Sequence, residues 1–338
     1  MKQMIGKIGL LLVAIIWGTG FVWTAIALEH FGPYEIIAIR MTIAFLALLL
    51  MNIHRLKEMT RVNLVRGSFV GLLLYLGFIF QTIGLSYTTP SNNAFLTAVN
   101  IVFVPFISLI LLRRTISFQS IWGALVTFVG IGFISLQSGL SNMNRGDVFS
   151  LICAVFFAFQ IVATDIFTKK MPTWQLLLSQ IGTASLLAWI GVFTSGETNL
   201  VDGSVPLNGQ TLFPLVYLGL VGTLFAYYIQ TYSQKTTSST ETAVILSTEA
   251  FFGMIGSVLV LHEVVTFAMI VGGILIFCGI LIVEIDFLQF RQVREKIASG
   301  FNHKKENMAE EVDERDKFVH LTSGFSKNNS FIKLMNKY

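Results

Sequence analysis

The stretch TTPSNNAFLTAVN runs from Thr88 to Asn100, and TSSTETAVILSTE runs from Thr237 to Glu249, 149 positions later. Each opens on a small-polar turn and climbs into an apolar run. Each places one strongly polar side chain, Asn100 or Glu249, well inside that run. Repetition of so awkward a pattern points to two related halves.

Composition sets the solvent. The 338 residues are 54% hydrophobic and 12% charged, with mean hydropathy +0.72. Soluble domains carry about 25% charged residues, and even a large core needs a polar surface around it. The chain is therefore read as a polytopic membrane protein. A bilayer core is crossed by about 20 apolar helical residues. Ten such runs are expected, at roughly 8–28, 34–53, 67–86, 92–112, 119–137, 147–168, 174–193, 212–232, 239–261 and 264–285. The first is too long for a signal peptide and lacks its cleavage pattern, so it is read as a retained span. Continuous rather than alternating apolar runs argue against a β-barrel.

Basic residues orient the spans. Lys2 and Lys7, the Arg55–Arg66 group, Arg113 and Arg114, Lys169 and Lys170, and Lys235 all fall on one side of a ten-span chain. The opposite side holds Glu29, Glu197, Asp202 and Glu263, with Arg145 its only basic loop residue. Both termini are thus expected in the cytoplasm of a multi-pass cell-membrane protein. From 286 to 338 the sequence turns to mixed charge and reads as a solvated cytoplasmic tail.

The 149-position shift also pairs Ser108 with Ser257, Gly123 with Gly272 and Gly130 with Gly279. Near 140, it pairs Gly6 with Gly146 and Thr24 with Thr164. Two units follow, 6–137 and 146–285, each of five spans. An odd count inserts the second copy upside down, and inverted repeats are a recurring architecture of secondary transporters. The expected fold class is all-α integral membrane, with ten transmembrane helices in two five-helix inverted repeats.

The chain resembles the EamA-type members of the drug/metabolite transporter superfamily. The likeness rests on WGTGF at Trp17–Phe21, the block at 93–136 and its counterpart at 241–283. It implies ATP-independent movement of a small metabolite by alternating access. The expected function is a secondary exporter of a solute such as an amino acid, with protons as the coupling ion. The alternatives are an uptake permease, a multidrug efflux pump, or a membrane scaffold or sensor acting through its tail.

Several polar residues stand inside the runs. Glu249 is a candidate proton-coupling carboxyl, since a charge at mid-span is costly unless it faces water, a partner or the bundle interior. Asn100, at the matching position, binds solute or joins two helices. Arg40 either pairs with Glu249, holds a substrate carboxylate with its planar fork, or snorkels to the interface. Glu35 is expected at that interface, and Asp165 in a local pair with Lys169. Trp17, Phe21, Gln81 and Tyr228 complete the candidate substrate-binding set. There is no GxxxxGK[ST] loop, no GxSxG elbow and no metal-ligand spacing. No enzyme activity, cofactor, metal or nucleic-acid partner is expected. The partners are a small solute and the lipid bilayer. Cys153 and Cys278 read as small hydrophobes.

Overall fold

The computed structural model describes residues 2–113, 118–135, 144–197, 199, 202–203, 205–206 and 208–284. The tail expected at 286–338 lies outside them. Among the described residues every regular element is helical. Eight helical segments are long and apolar enough to cross a membrane, while Ile121–Gly130 and Phe267–Gly279 are shorter apolar helices. These two correspond to the fifth and tenth expected runs. Large apolar residues such as Leu50, Ile110, Phe193 and Phe267 face outward, a surface that water would penalise and lipid accepts.

In chain order the helices are α1 (Lys2–Leu28), α2 (Pro33–Asn52), a 3₁₀ turn (Ile53–Glu58), α3 (Arg61–Leu85), α4 (Pro90–Thr97), α5 (Asn100–Leu112), α6 (Phe118–Ser135), α7 (Arg145–Thr168) and α8 (Thr173–Ser195). Then come α9 (Gly209–Val216), a π-helical segment (Tyr217–Phe225), α10 (Ala226–Ser233), α11 (Ser239–Leu246), α12 (Glu249–Val260) and α13 (Phe267–Glu284).

The boundaries repeat. α4 and α11 begin 149 positions apart, as do α5 and α12, and α6 and α13. The local causes repeat with them. Thr89 accepts from the Asn92 backbone N–H to cap α4, and Ser238 accepts from that of Glu241 to cap α11. Arg113 and His262, also 149 apart, adopt left-handed backbone with φ of 52° and 55°, turning the chain after α5 and α12. At a shift of 140, α1 and α7 end together, and α2 and α8 begin together.

Helix packing follows an exchange pattern. α1 lies on α12 and α7 on α5; α3 lies on α8, and the π segment on α2; α6 lies on α13. At the last contact a Cβ on Gly130 would stand 2.7 Å from the Gly272 carbonyl oxygen, and one on Gly279 would stand 2.6 Å from that of Gly123. Small residues permit this approach. Replacing Gly279 with Leu is expected to separate α6 from α13, because an overpacked core costs about 1–3 kcal/mol or more. A lower melting midpoint in detergent checks it; an unchanged midpoint would contradict the close packing.

The runs expected at 92–112, 212–232 and 239–261 are span-length helical segments, Pro90–Leu112, Gly209–Ser233 and Ser239–Val260, each with a change of helical geometry along its length. After α4, Val99, Ile101 and Val102 donate back three residues instead of four, tightening the turn. In the counterpart, Ser247 and Thr248 turn their hydroxyls onto the Val244 and Ile245 carbonyls, which bends the chain locally. Glu35, expected at the interface, is fully buried. Its carboxylate accepts from the Gly32 N–H at the start of α2, an N-terminal contact that hydropathy cannot foresee.

Beside it, Glu197 Oε2 accepts from the backbone N–H groups of Tyr34 (3.0 Å) and Glu35 (3.1 Å). Burial lifts the Glu197 carboxyl above the usual range, and the Glu35 charge pushes the same way against the pull of the two N–H groups.

Candidate functional site

The helix breaks meet one cavity. It spans about 660 Å³ of atom-free space, counting the open solvent at its mouth. Asn100 and Glu249 begin the second half-helices of their respective breaks and both line it. The walls match across the two halves: Trp17 with Phe157, Gly20 with Gln160, and Phe21 with Ile161 are each 140 positions apart, and all six line the space.

The WGTGF stretch explains how α1 reaches this wall. A Cβ on Gly18 would lie 2.6 Å from Phe252 Cβ and 2.7 Å from the Glu249 carbonyl oxygen, so α1 presses against the break before α12. A Cβ on Gly20 would meet only Leu218 Cδ2, at 3.9 Å, and Gly20 lines the cavity. Trp17 donates its indole N–H to the Gly222 carbonyl at 2.9 Å, a carbonyl presented by the π segment. Such bulges free backbone acceptors and are frequent at functional sites. The Trp17 ring lies 5.0 Å from that of Tyr227, and Phe78 lies between Tyr227 and Phe157 at 6.1 and 5.3 Å.

Arg40 faces this aromatic wall. It is 4% exposed, so it does not snorkel. Its Nε donates to Thr223 Oγ1 at 3.1 Å, and its guanidinium carbon sits 4.2 Å from the Phe78 ring centroid. Among the described residues no ion pair joins Arg40 to Glu249, although both face the same space. Glu249 is 5% exposed. The Asn100 Oδ1 is buried with no hydrogen-bond partner among the described residues. A buried polar atom of that kind calls for water or a ligand. The arrangement thus offers a cation, a carboxyl, an amide and a ring surface around one space.

Of the candidates from sequence, Trp17, Phe21, Arg40, Gln81, Asn100 and Glu249 come together in the cavity. Tyr228 does not. It is 46% exposed on the outer face, and its neighbour Tyr227, 1% exposed, lines the cavity instead. Successive helical residues point about 100° apart, so only one of the two can face inward. Thr24, Thr82, Phe157 and Gln160 were missed. For Phe157 and Gln160 the signal was present, since the shift of 140 lands them on Trp17 and Gly20. Asp165 does pair with Lys169. Glu263 accepts from Ser91 Oγ at 2.6 Å. Both cysteines are free thiols, Cys153 buried and Cys278 exposed.

The profile of the EamA-like transporter family matches the chain twice, at residues 4–136 and 144–285. A protein of Archaeoglobus fulgidus described as an uncharacterized transporter is 31% identical over 285 residues, covering 84% of this chain and 87% of its own length. The uncharacterized transporter YoaV of Bacillus subtilis is 22% identical, covering 81% of this chain and 94% of its own. A solved crystal structure superposes with TM-score 0.67 at 18% identity, covering 85% of this chain and 98% of that one, a likeness of fold.

Proposed function

The chain belongs to the EamA-like transporter family, and from that premise we propose that it exports a small organic metabolite such as an amino acid, by alternating access coupled to protons. The observation that carries this reading is the placement of Arg40 and Glu249 on one cavity without a bond between them. In the proposal a solute carboxylate lies against the Arg40 fork, its ammonium group lies toward Asn100 and Glu249, and its side chain rests on Trp17, Phe21 and Phe78. Gln81 contributes a further hydrogen bond. Glu249 takes up and releases the coupling proton.

The scaffold belongs to the same proposal: ten spans in two inverted five-helix units at 6–137 and 146–285, with both termini cytoplasmic. The two profile matches, the shared helix boundaries and the exchanging pairs support the two units. The one-sided distribution of Lys and Arg supports the orientation.

The test is a metabolite profile of medium and cells, comparing cells that lack the protein with cells that overproduce it. Accumulation of one solute in the medium on overproduction is expected. Depletion from the medium would reverse the direction to uptake, and a chemically altered product would end the transport reading. Deleting 290–338 is expected to leave that accumulation unchanged, because the cavity lies wholly before residue 285. Its loss on deletion would favour a device working through the tail.

A further inference from the structure

The two ends of the cavity are closed by unlike materials. At one end, Gln81 Nε2 donates to Thr97 Oγ1 at 3.4 Å, and Thr97 Oγ1 lies 3.3 Å from Cys153 Sγ. Asn93 Nδ2 donates to the Gln81 carbonyl at 3.1 Å and to Ser150 Oγ at 2.7 Å. One turn further out, Asn92 Nδ2 donates to Asp147 Oδ1 at 2.5 Å, and Thr88 Oγ1 donates to the same oxygen at 3.3 Å. Thr97, Asn93 and Ser150 are all buried, and Asn93 Oδ1 has no partner among the described residues.

Three of the corresponding positions in the other half are apolar where these are polar, while Asn93 matches the buried Thr242 at the 149 shift. Thr97 matches Leu246 at the 149 shift; Cys153 matches Val13 and Ser150 matches Leu10 at the 140 shift. Leu246, Val13 and Leu10 belong to one tightly packed apolar cluster. Beyond them, Lys7 Nζ pairs with Glu241 Oε1 at 3.3 Å, the counterpart of Asp147 with Asn92. A buried polar column within a membrane bundle is costly unless each group finds a partner. A buried oxygen such as that of Asn93 is a place where an ordered water can supply the partner.

We propose that the column from Gln81 through Thr97, Asn93 and Ser150 is a hydrated path joining the cavity to the Asp147 end of the bundle, with the Asn92–Asp147 contact as the latch at its mouth. The opposite end, where Leu10, Val13 and Leu246 pack in place of the polar groups, is the drier one. The path rests on the transport reading for its purpose. Its hydration is testable without any solute, so the two fail separately.

Cys153 is a natural reporter inside the column. In the full chain carrying Cys278→Ser it is the remaining thiol. Membrane fragments open on both faces are treated with a charged, water-soluble methanethiosulfonate reagent. Cys153 is expected to react about tenfold faster than a thiol placed at the drier end by Val13→Cys in a Cys153→Ser, Cys278→Ser chain, since reactivity follows access to water. Asp147→Ala is expected to speed Cys153 further by releasing the latch. Asn93→Leu is expected to slow it by filling the column, whereas damage to the bundle would speed it. A Cys153 thiol no faster than the one at position 13 overturns the path. So does a Cys153 rate that Asn93→Leu leaves unchanged.

Discussion

Glu249→Gln is expected to abolish the pH dependence of transport while leaving a folded protein. The glutamine keeps the shape of the side chain and its place at the start of α12. It removes the group proposed to take up and release the coupling proton. One-for-one exchange driven by one pH unit sustains a solute gradient of about tenfold, or about 1.4 kcal/mol. The variant should instead run to equal concentrations on both sides, with a rate that is flat in pH. Proteoliposomes with an imposed pH step provide the measurement. A variant that still concentrates solute against its gradient in response to that step would remove Glu249 from coupling.

Arg40→Lys is expected to lower kcat/KM by about 100-fold, from the loss of about 3 kcal/mol of charge-assisted hydrogen bonding. The charge is kept, so the loss would come from geometry. The guanidinium donates to Thr223 through Nε and lies over the Phe78 ring, leaving its remaining N–H groups for the cavity. An ammonium cannot hold the hydroxyl, the ring and a carboxylate together. Because a buried cation without a carboxylate beside it is costly, a solute anion would complete the site. Solute-induced thermal stabilisation should fall in parallel with transport. Full transport by the lysine variant would mean that Arg40 supplies charge alone and does not grip a carboxylate.

The sequence was most legible where the physics is local. Transfer into lipid is summed residue by residue, so hydropathy was enough to identify helices at membrane length. Caps are equally local. Thr89 before Pro90 and Ser238 before Glu241 mark the starts of α4 and α11 in the letters themselves. The doubled stretch carried further still, because its 149-position shift places Asn100 and Glu249 at equivalent points of two helix breaks. A polar residue deep in an apolar run is costly against lipid, which already pointed Arg40, Asn100 and Glu249 inward.

Facing and partnership were decided elsewhere. Tyr227 and Tyr228 are the same letter, and only the π-helical turn and the packing of α1 choose which ring meets the cavity. Arg40 stays inside because Thr223, 183 positions away, receives its Nε. Glu35 is buried through contacts at the N-terminus of α2, where Glu197 arrives from beyond α8. The column from Gln81 to Asp147 joins α3, α4 and α7, and no one helix displays it. Each of these is an agreement between surfaces distant in the chain, set by how closely glycines let helices approach. The sequence by itself determined that this chain forms helices for a membrane and writes one pattern twice. Tertiary structure alone decided which polar groups share a space, because that energy belongs to pairs and not to residues.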